Sequence, residues 1–204
     1  MNQYIKNLNR IEFVITMACT GRCKHCSEGE HFSNGEHIDG DVAAKAVHDI
    51  CRSYDIKSIM TFGGEPLLYP GDVCKIHAAA KEAGIPERDL ITNGFFSKDE
   101  ERIKEVVHML AENGVKRVLL SVDAFHQETI PIEPIMFFAE CVKKEGILIQ
   151  VNPAWLVSKE DNNPYNIRTR EILREFEKMD IEIGMNEKTE SLHEIFINAK
   201  LMKF

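Results

Sequence analysis

The chain has 204 residues, a hydrophobic fraction of 44% and a net charge of -8, from 33 acidic against 25 basic residues. That length suits a single domain able to bury a sizeable core. The acidic balance and dispersed Lys and Arg argue against broad phosphate-backbone binding, which ranks a nucleic-acid substrate below a peptide or a small molecule. No apolar run approaches the ~20 residues of a membrane span, and Met1 to Arg10 carries no signal-like apolar stretch, so a cytoplasmic location is expected.

From the N-terminus, the apolar set Ile11, Phe13, Val14, Ile15 and Met17 predicts a mostly buried strand over Arg10 to Met17. A long polar loop, Ala18 to Asp39, follows, of the kind that carries function in a compact domain. Asp39 or Asp41 caps a helix reaching Tyr54. A second strand, Ile56 to Phe62, ends at Gly63-Gly64, and a helix from Gly71 to Ala83 is closed by Gly84. The later strands are Arg88 to Thr92, Val115 to Val122, Ile147 to Asn152 and Ile181 to Met185. They alternate with helices at Lys98 to Asn113, Glu133 to Glu145 and Ile167 to Met179, and a helical tail spans Glu187 to Lys200. Strand and helix alternating about every 30 residues imply parallel strands joined by right-handed crossovers. Periodicity leaves an open twisted sheet and a partly closed barrel equally possible.

Three of the six cysteines sit together in Cys19-Thr20-Gly21-Arg22-Cys23-Lys24-His25-Cys26. Thiolates at C-x3-C-x2-C spacing in a loop leaving a strand can converge on one metal centre, and three of them leave one coordination position for another ligand. Cys51, Cys74 and Cys141 each stand alone in helical stretches and read as free thiols. A zinc site completed by His25 or His31, on an α/β interaction module, is the alternative from another class. It is disfavoured because structural zinc ligands usually come as two close pairs.

Together with Gly63-Gly64-Glu65-Pro66 after the next strand, the cysteine motif resembles the radical S-adenosylmethionine (radical SAM) enzyme superfamily. The resemblance implies an α/β fold, a partial (β/α)6 TIM-like barrel of parallel strands, with residues 1–204 as one core domain that is either minimal or shortened from a longer protein. It also implies a 4Fe-4S cluster on Cys19, Cys23 and Cys26 with one iron left open for S-adenosyl-L-methionine. Reductive cleavage then gives a 5′-deoxyadenosyl radical that takes hydrogen from a substrate, read here as a peptide or protein side chain or else a small molecule. A low-potential donor of flavodoxin or ferredoxin type follows.

The remaining candidates gather at the carboxyl ends of the strands, where parallel α/β folds collect reactive groups. By resemblance, Gly63, Gly64 and Glu65 face the cofactor's amino group, and His25 lies where an aromatic residue packs near adenine, or else only shields the cluster. Thr92 and Asn93 resemble a Thr-Asn-Gly found after the third strand. Ser121 and Asn152 take positions that relatives use toward the ribose, and Asp123 faces cofactor or substrate. As alternatives, Gly63-Gly64 forms a tight turn, Ser121 and Asp123 form a cap or turn, and Asn93-Gly94 is an ordinary turn signal. His31, His37 and His126 are loop histidines on the same face, with nothing in the sequence to choose among them.

Overall fold

The computed structural model describes residues 7–26 and 35–184. It contains six parallel strands and five α-helices in strict alternation. In chain order they are β1 (Arg10–Val14), α1 (Gly40–Cys51), β2 (Ser58–Phe62), α2 (Pro70–Glu82), β3 (Glu87–Thr92) and α3 (Glu100–Glu112), then β4 (Arg117–Leu120), α4 (Ile132–Lys144), β5 (Leu148–Val151), α5 (Pro164–Lys178) and β6 (Glu182–Ile183). The strands pair in sequence order, β1 to β6, and no β1–β6 pairing closes the sheet among the described residues. The expected partial barrel is therefore the fold observed. His31 and the expected tail helix lie outside the described residues.

Local chemistry sets the helix ends. Asp39 caps α1 by accepting from the backbone of Asp41 and Val42, Asp99 caps α3, and Asn163 caps α5 with Pro164 in its first turn, as oxygen-bearing side chains do at helix starts. Gly84, Gly114 and Gly146 follow α2, α3 and α4 at positive φ. Along α3, Ile103, Val106, Val107 and Leu110 are buried, and that spacing is one helical stripe. The stripe joins Ile59, Leu90, Val118, Val151, Phe138 and Phe176 in a single core between sheet and helices.

Most boundaries shift by one to three residues from the sequence reading, and two differences bear on the site. β1 stops at Val14 rather than Met17, because Thr16 leaves the ladder: its backbone bridges to His37 in antiparallel fashion and its hydroxyl donates to Glu36 O. A 3-10 turn, Pro66–Leu68, separates β2 from α2, with the Glu65 side chain accepting from Leu67 N.

Side chains alternate between the two faces of each strand. Thr61 faces the helices, where its hydroxyl lies 2.9 Å from His77 Nε2, so Met60 faces the concave side. The strand register then aligns Glu12, Met60, Asp89, Arg117 and Leu148 in one concave row. In this row Arg117 holds the buried Asp89 carboxylate bidentately. The ladder runs on past the strand ends through Ser121 N to Thr92 O, Asn152 N to Leu120 O and Gly184 N to Val151 O, at 2.7 to 2.9 Å. Asn93, Ser121, Asn152 and Gly184 therefore form an upper concave row.

His77 on α2 is wholly buried, and its Nδ1 has no hydrogen-bond partner among the described residues. Burial, aided by the Arg88 charge, holds this imidazole at about 3, against an ordinary 6.5. The folded chain thus resists protonation: stability is intact above pH 6.5 and falls as pH drops toward 3. Relative to a His77→Leu variant, the parent is expected to lose about 2 kcal/mol between pH 7 and pH 5. Urea unfolding at the two pH values measures the difference, and identical pH profiles contradict it.

Candidate cluster and cofactor site

The cysteine loop leaves the end of β1 and curls at once. Cys26 N donates to Cys23 O, Gly21 N lies 3.3 Å from Cys19 Sγ, and the Arg22 guanidinium donates to the carbonyls of Cys19 and Gly21, both at 2.7 Å. Cys19, Cys23 and Cys26 are half-buried. Burial pushes the Cys19 thiol up to about 11, and the negative charge of Glu65, Cys23 and Cys26 adds to the rise. Thiols that oppose one another's ionisation become thiolates together only around a cation. This donor set fits a metal cluster.

The end of β2 packs directly under that loop. Gly64 N donates to Thr16 O and Glu65 N to Ala18 O, each at 2.7 Å. A β-carbon on Gly64 would sit 2.1 Å from Ala18 O, and one on Gly63, at φ +133°, would sit 2.5 Å from Thr16 O. Both glycines are thus required by the backbone of the cysteine loop itself.

Glu65 is fully buried. Its Oε1 accepts from Thr92 Oγ1 at 2.7 Å and Leu67 N at 2.9 Å, and its Oε2 from Asn93 N at 2.9 Å. Burial pushes its carboxyl up to about 7, while these three donors pull it back toward ionisation. Glu65 so ties the β2 and β3 ends together. Asn93 passes the connection on, its Nδ2 lying 3.5 Å from Cys19 Sγ and 3.2 Å from Thr20 Oγ1.

Beyond β4, Ser121 is half-buried on the concave row, and Asp123 is fully buried. Asp123 Oδ1 accepts from Phe125 N and His126 N, and its Oδ2 from Ala154 N and the His126 ring, at 2.8 to 3.0 Å. Burial opposes its charge, yet the facing imidazole and these donors hold the carboxyl well below the usual carboxylate range. Burial likewise opposes charge on His126, but Asp123 and a hydrogen bond to Cys23 hold its imidazole well above its ordinary value. Asn152 follows β5, and its buried Oδ1 has no hydrogen-bond partner among the described residues, next to the position a β-carbon on Gly184 would occupy. A buried polar atom without a partner at the mouth of the concave face suits a site that receives a polar molecule.

A clamp on the cysteine loop was not anticipated from sequence. Residues 123 to 130 and Tyr165 on α5 close over it. His25 packs against Phe125 and His126, with ring centroids 4.8 Å apart in both cases, and Phe125 stacks on Tyr165. Lys24 donates to Glu128 and to Tyr165 OH, Arg22 N to Thr129, and Ile130 fills the space beside Gly21. The aromatic pair Phe125-His126 just after a strand end was its only signal in the sequence. His37 lies apart from the clamp, stacked on Tyr69 and paired with Asp72. Of the remaining cysteines, Cys74 and Cys141 are buried and Cys51 half-buried, all free.

A fold of this class, with three thiols over the barrel mouth, agrees with the relatives found. The family model for the radical SAM superfamily matches residues 13–148, and the chain belongs to that superfamily, whose enzymes work with a 4Fe-4S cluster and S-adenosylmethionine. It is 27% identical over 161 residues to a GTP 3′,8-cyclase of Clostridium perfringens, covering 74% of this chain and 48% of that one. It is also 28% identical over 189 residues to a probable GTP 3′,8-cyclase of Saccharolobus islandicus, covering 92% and 58%. The chain thus spans about half the length of the curated relatives it matches. In fold it is similar to native anSMEcpe with bound AdoMet, at TM-score 0.62 and 18% identity over 97% of this chain and 60% of that one. It is likewise similar to Streptococcus suis SuiB bound to precursor peptide SuiA, at TM-score 0.58 and 16% identity over 84% and 38%.

Proposed function

We propose that Cys19, Cys23 and Cys26 hold a 4Fe-4S cluster whose open iron takes S-adenosylmethionine, and that the protein is a radical SAM enzyme. The convergence of Cys19, Cys23 and Cys26 on one clamped loop above the concave face carries this reading. When bound, the cluster and S-adenosylmethionine supply reductive cleavage to a 5′-deoxyadenosyl radical, which removes a hydrogen atom from substrate. The chain's own groups do the placing. Gly63 and Gly64 seat the cysteine loop, Glu65 and Asn93 fix its first thiol, and His25 with the residue 123–130 loop shields one side. Thr92 acts through Glu65, while Ser121 and Asn152 line the rim where a ribose or carboxylate would be met.

The substrate we propose is a polar small molecule entering from the concave face. Glu12, the Asp89–Arg117 pair and Gln150 give that face a polar floor, and the curated relatives are named for a nucleotide substrate. A peptide side chain is the competing outcome. A low-potential donor of flavodoxin or ferredoxin type supplies the electron. No helix among the described residues is long and apolar enough to cross a membrane, which, with six cysteines and a metal-binding motif, supports a reducing cytoplasmic setting.

Anaerobic incubation with dithionite and S-adenosylmethionine tests the reading. The reconstituted parent is expected to bind iron and sulfide and release 5′-deoxyadenosine, and Cys23→Ala to do neither. A colourless, zinc-loaded parent that takes no iron contradicts it. Deuterium transferred into 5′-deoxyadenosine from labelled small molecules, but not from peptides, supports the substrate class; the reverse pattern assigns a peptide.

A further inference from the structure

At the end of the sheet farthest from β1, three polar side chains gather on the concave face. Gln150 and Glu182 are in register on β5 and β6, so they share that face on strands about 5 Å apart. Asn152 stands two residues above Gln150. A β-carbon on Gly184 would meet Asn152 Oδ1 at 2.2 Å and Gln150 Nε2 at 2.4 Å, so both carboxamides lean over the bare Cα of Gly184. Asn152 Oδ1 is buried and has no hydrogen-bond partner among the described residues. Within the same residues, no hydrogen bond or ion pair engages the side chain of Gln150 or Glu182. The charge left over here is negative. The two arginines of the concave rows are already committed, Arg10 to Glu12 and Arg117 to Asp89, whereas Glu182 is exposed. An acceptor-only carboxylate beside a buried carbonyl oxygen favours a ligand rich in N–H donors over one that brings anionic oxygens.

We propose that Gln150, Asn152 and Glu182 form a substrate subsite for a planar group with two N–H donors on one carbon, either a guanidino group or the 2-amino-lactam edge of a guanine ring. Two such donors match a carboxylate bidentately, which is the part Glu182 plays. Asn152 Oδ1 accepts a further N–H. The Gln150 amide, with a donor and an acceptor of its own, spans the space between them. Gly184 keeps the ground beneath clear, since any side chain there would displace both carboxamides. The proposal rests on the reading that a polar small molecule enters from the concave face.

The test uses the anaerobically reconstituted protein with S-adenosylmethionine, checked first for iron and for release of 5′-deoxyadenosine. Equilibrium dialysis at up to millimolar concentration then compares guanosine with inosine, which lacks the 2-amino group, and agmatine with putrescine, which carries an amine in place of the guanidino group. The parent is expected to hold guanosine or agmatine about tenfold more tightly than its counterpart, within what one bidentate pair discriminates. Preference in the first pair assigns a guanine nucleoside, and preference in the second a guanidino compound. Glu182→Gln sets an N–H against the ligand's own N–H and is expected to weaken the preferred probe about tenfold. Gly184→Ala, which pushes both carboxamides aside, is expected to weaken it as well. If Gly184→Ala does not fold by circular dichroism, Glu182→Gln, at an exposed side chain, carries the test. A parent without preference in either pair, or a Glu182→Gln variant that binds like the parent, overturns the proposal. Retention of none of the probes overturns it too, and release of 5′-deoxyadenosine by the same sample leaves the cluster reading standing. Deuterium taken up from labelled peptides alone overturns the small-molecule reading and this subsite with it.

Discussion

Replacing Gly64 with alanine should cost about 3 kcal/mol and strip the chain of most of its iron-binding capacity. The added β-carbon would lie 2.1 Å from Ala18 O, 2.7 Å from Ala18 C and 3.0 Å from Met17 C. All three are backbone atoms, so no rotamer change relieves the overlap. Either the hydrogen bonds from Gly64 N to Thr16 O and Glu65 N to Ala18 O break, or the loop moves as a unit. Ala18 directly precedes Cys19, and the displacement therefore reaches the first thiol. For a chain of this size the thermal midpoint should fall by about 6 to 12 °C. Gly71→Ala is the control, since a β-carbon there meets nothing within 4 Å, and alanine is the better residue on a helix. Thermal scans and iron content after identical anaerobic reconstitution measure both effects; equal behaviour of the two variants refutes the packing account.

The fold was legible in the sequence wherever its causes are local. Alternating strand and helix signals, Asp39 as a cap, and glycines after three helices all act over a few residues, and each described element lies within a few residues of where they place it. The cysteine spacing carried the candidate metal centre for the same reason. Less legible was what each polar residue at the strand ends touches. Glu65 and Asp123 read as charges facing a ligand, but Thr92, Asn93, Ala154 and His126 supply their partners. Most of those partners come from other strands and loops. Lys24 meets Tyr165 across 141 residues of chain, a contact that no periodicity encodes. Even the early end of β1 depends on a hydroxyl, Thr16, reaching Glu36 across a loop. Sequence marked which residues gather at the barrel mouth; tertiary hydrogen bonding decides which of them are left for a ligand.

Glu65 gives that distinction a measurable form. Substitution by alanine would leave the Thr92 hydroxyl and the N–H groups of Leu67 and Asn93 without their acceptor in a fully buried place, at roughly 1–3 kcal/mol for each stranded donor. Glutamine keeps the shape and one acceptor oxygen, but turns an NH2 toward one or more of the same donors, so it should cost less than alanine without matching the parent. The pH dependence separates charge from shape. Burial raises this carboxyl from 4.5 to about 7 in the folded chain, so the folded state binds the proton more tightly than the unfolded one. The resulting stabilisation is complete below pH 4.5 and disappears as pH rises through about 7, for a total of about 3 kcal/mol. Glu65→Gln has no such proton to lose. Urea unfolding of metal-free parent and variant between pH 4.5 and 8 should show the parent's advantage over glutamine shrinking across that window, and a constant difference would sink the claim that burial governs this carboxyl. Because Asn93 joins Glu65 to Cys19 Sγ, both variants should also retain iron less well than the parent. That loss would show the buried carboxylate holding the first cluster thiol in place, with no contact to the cofactor required.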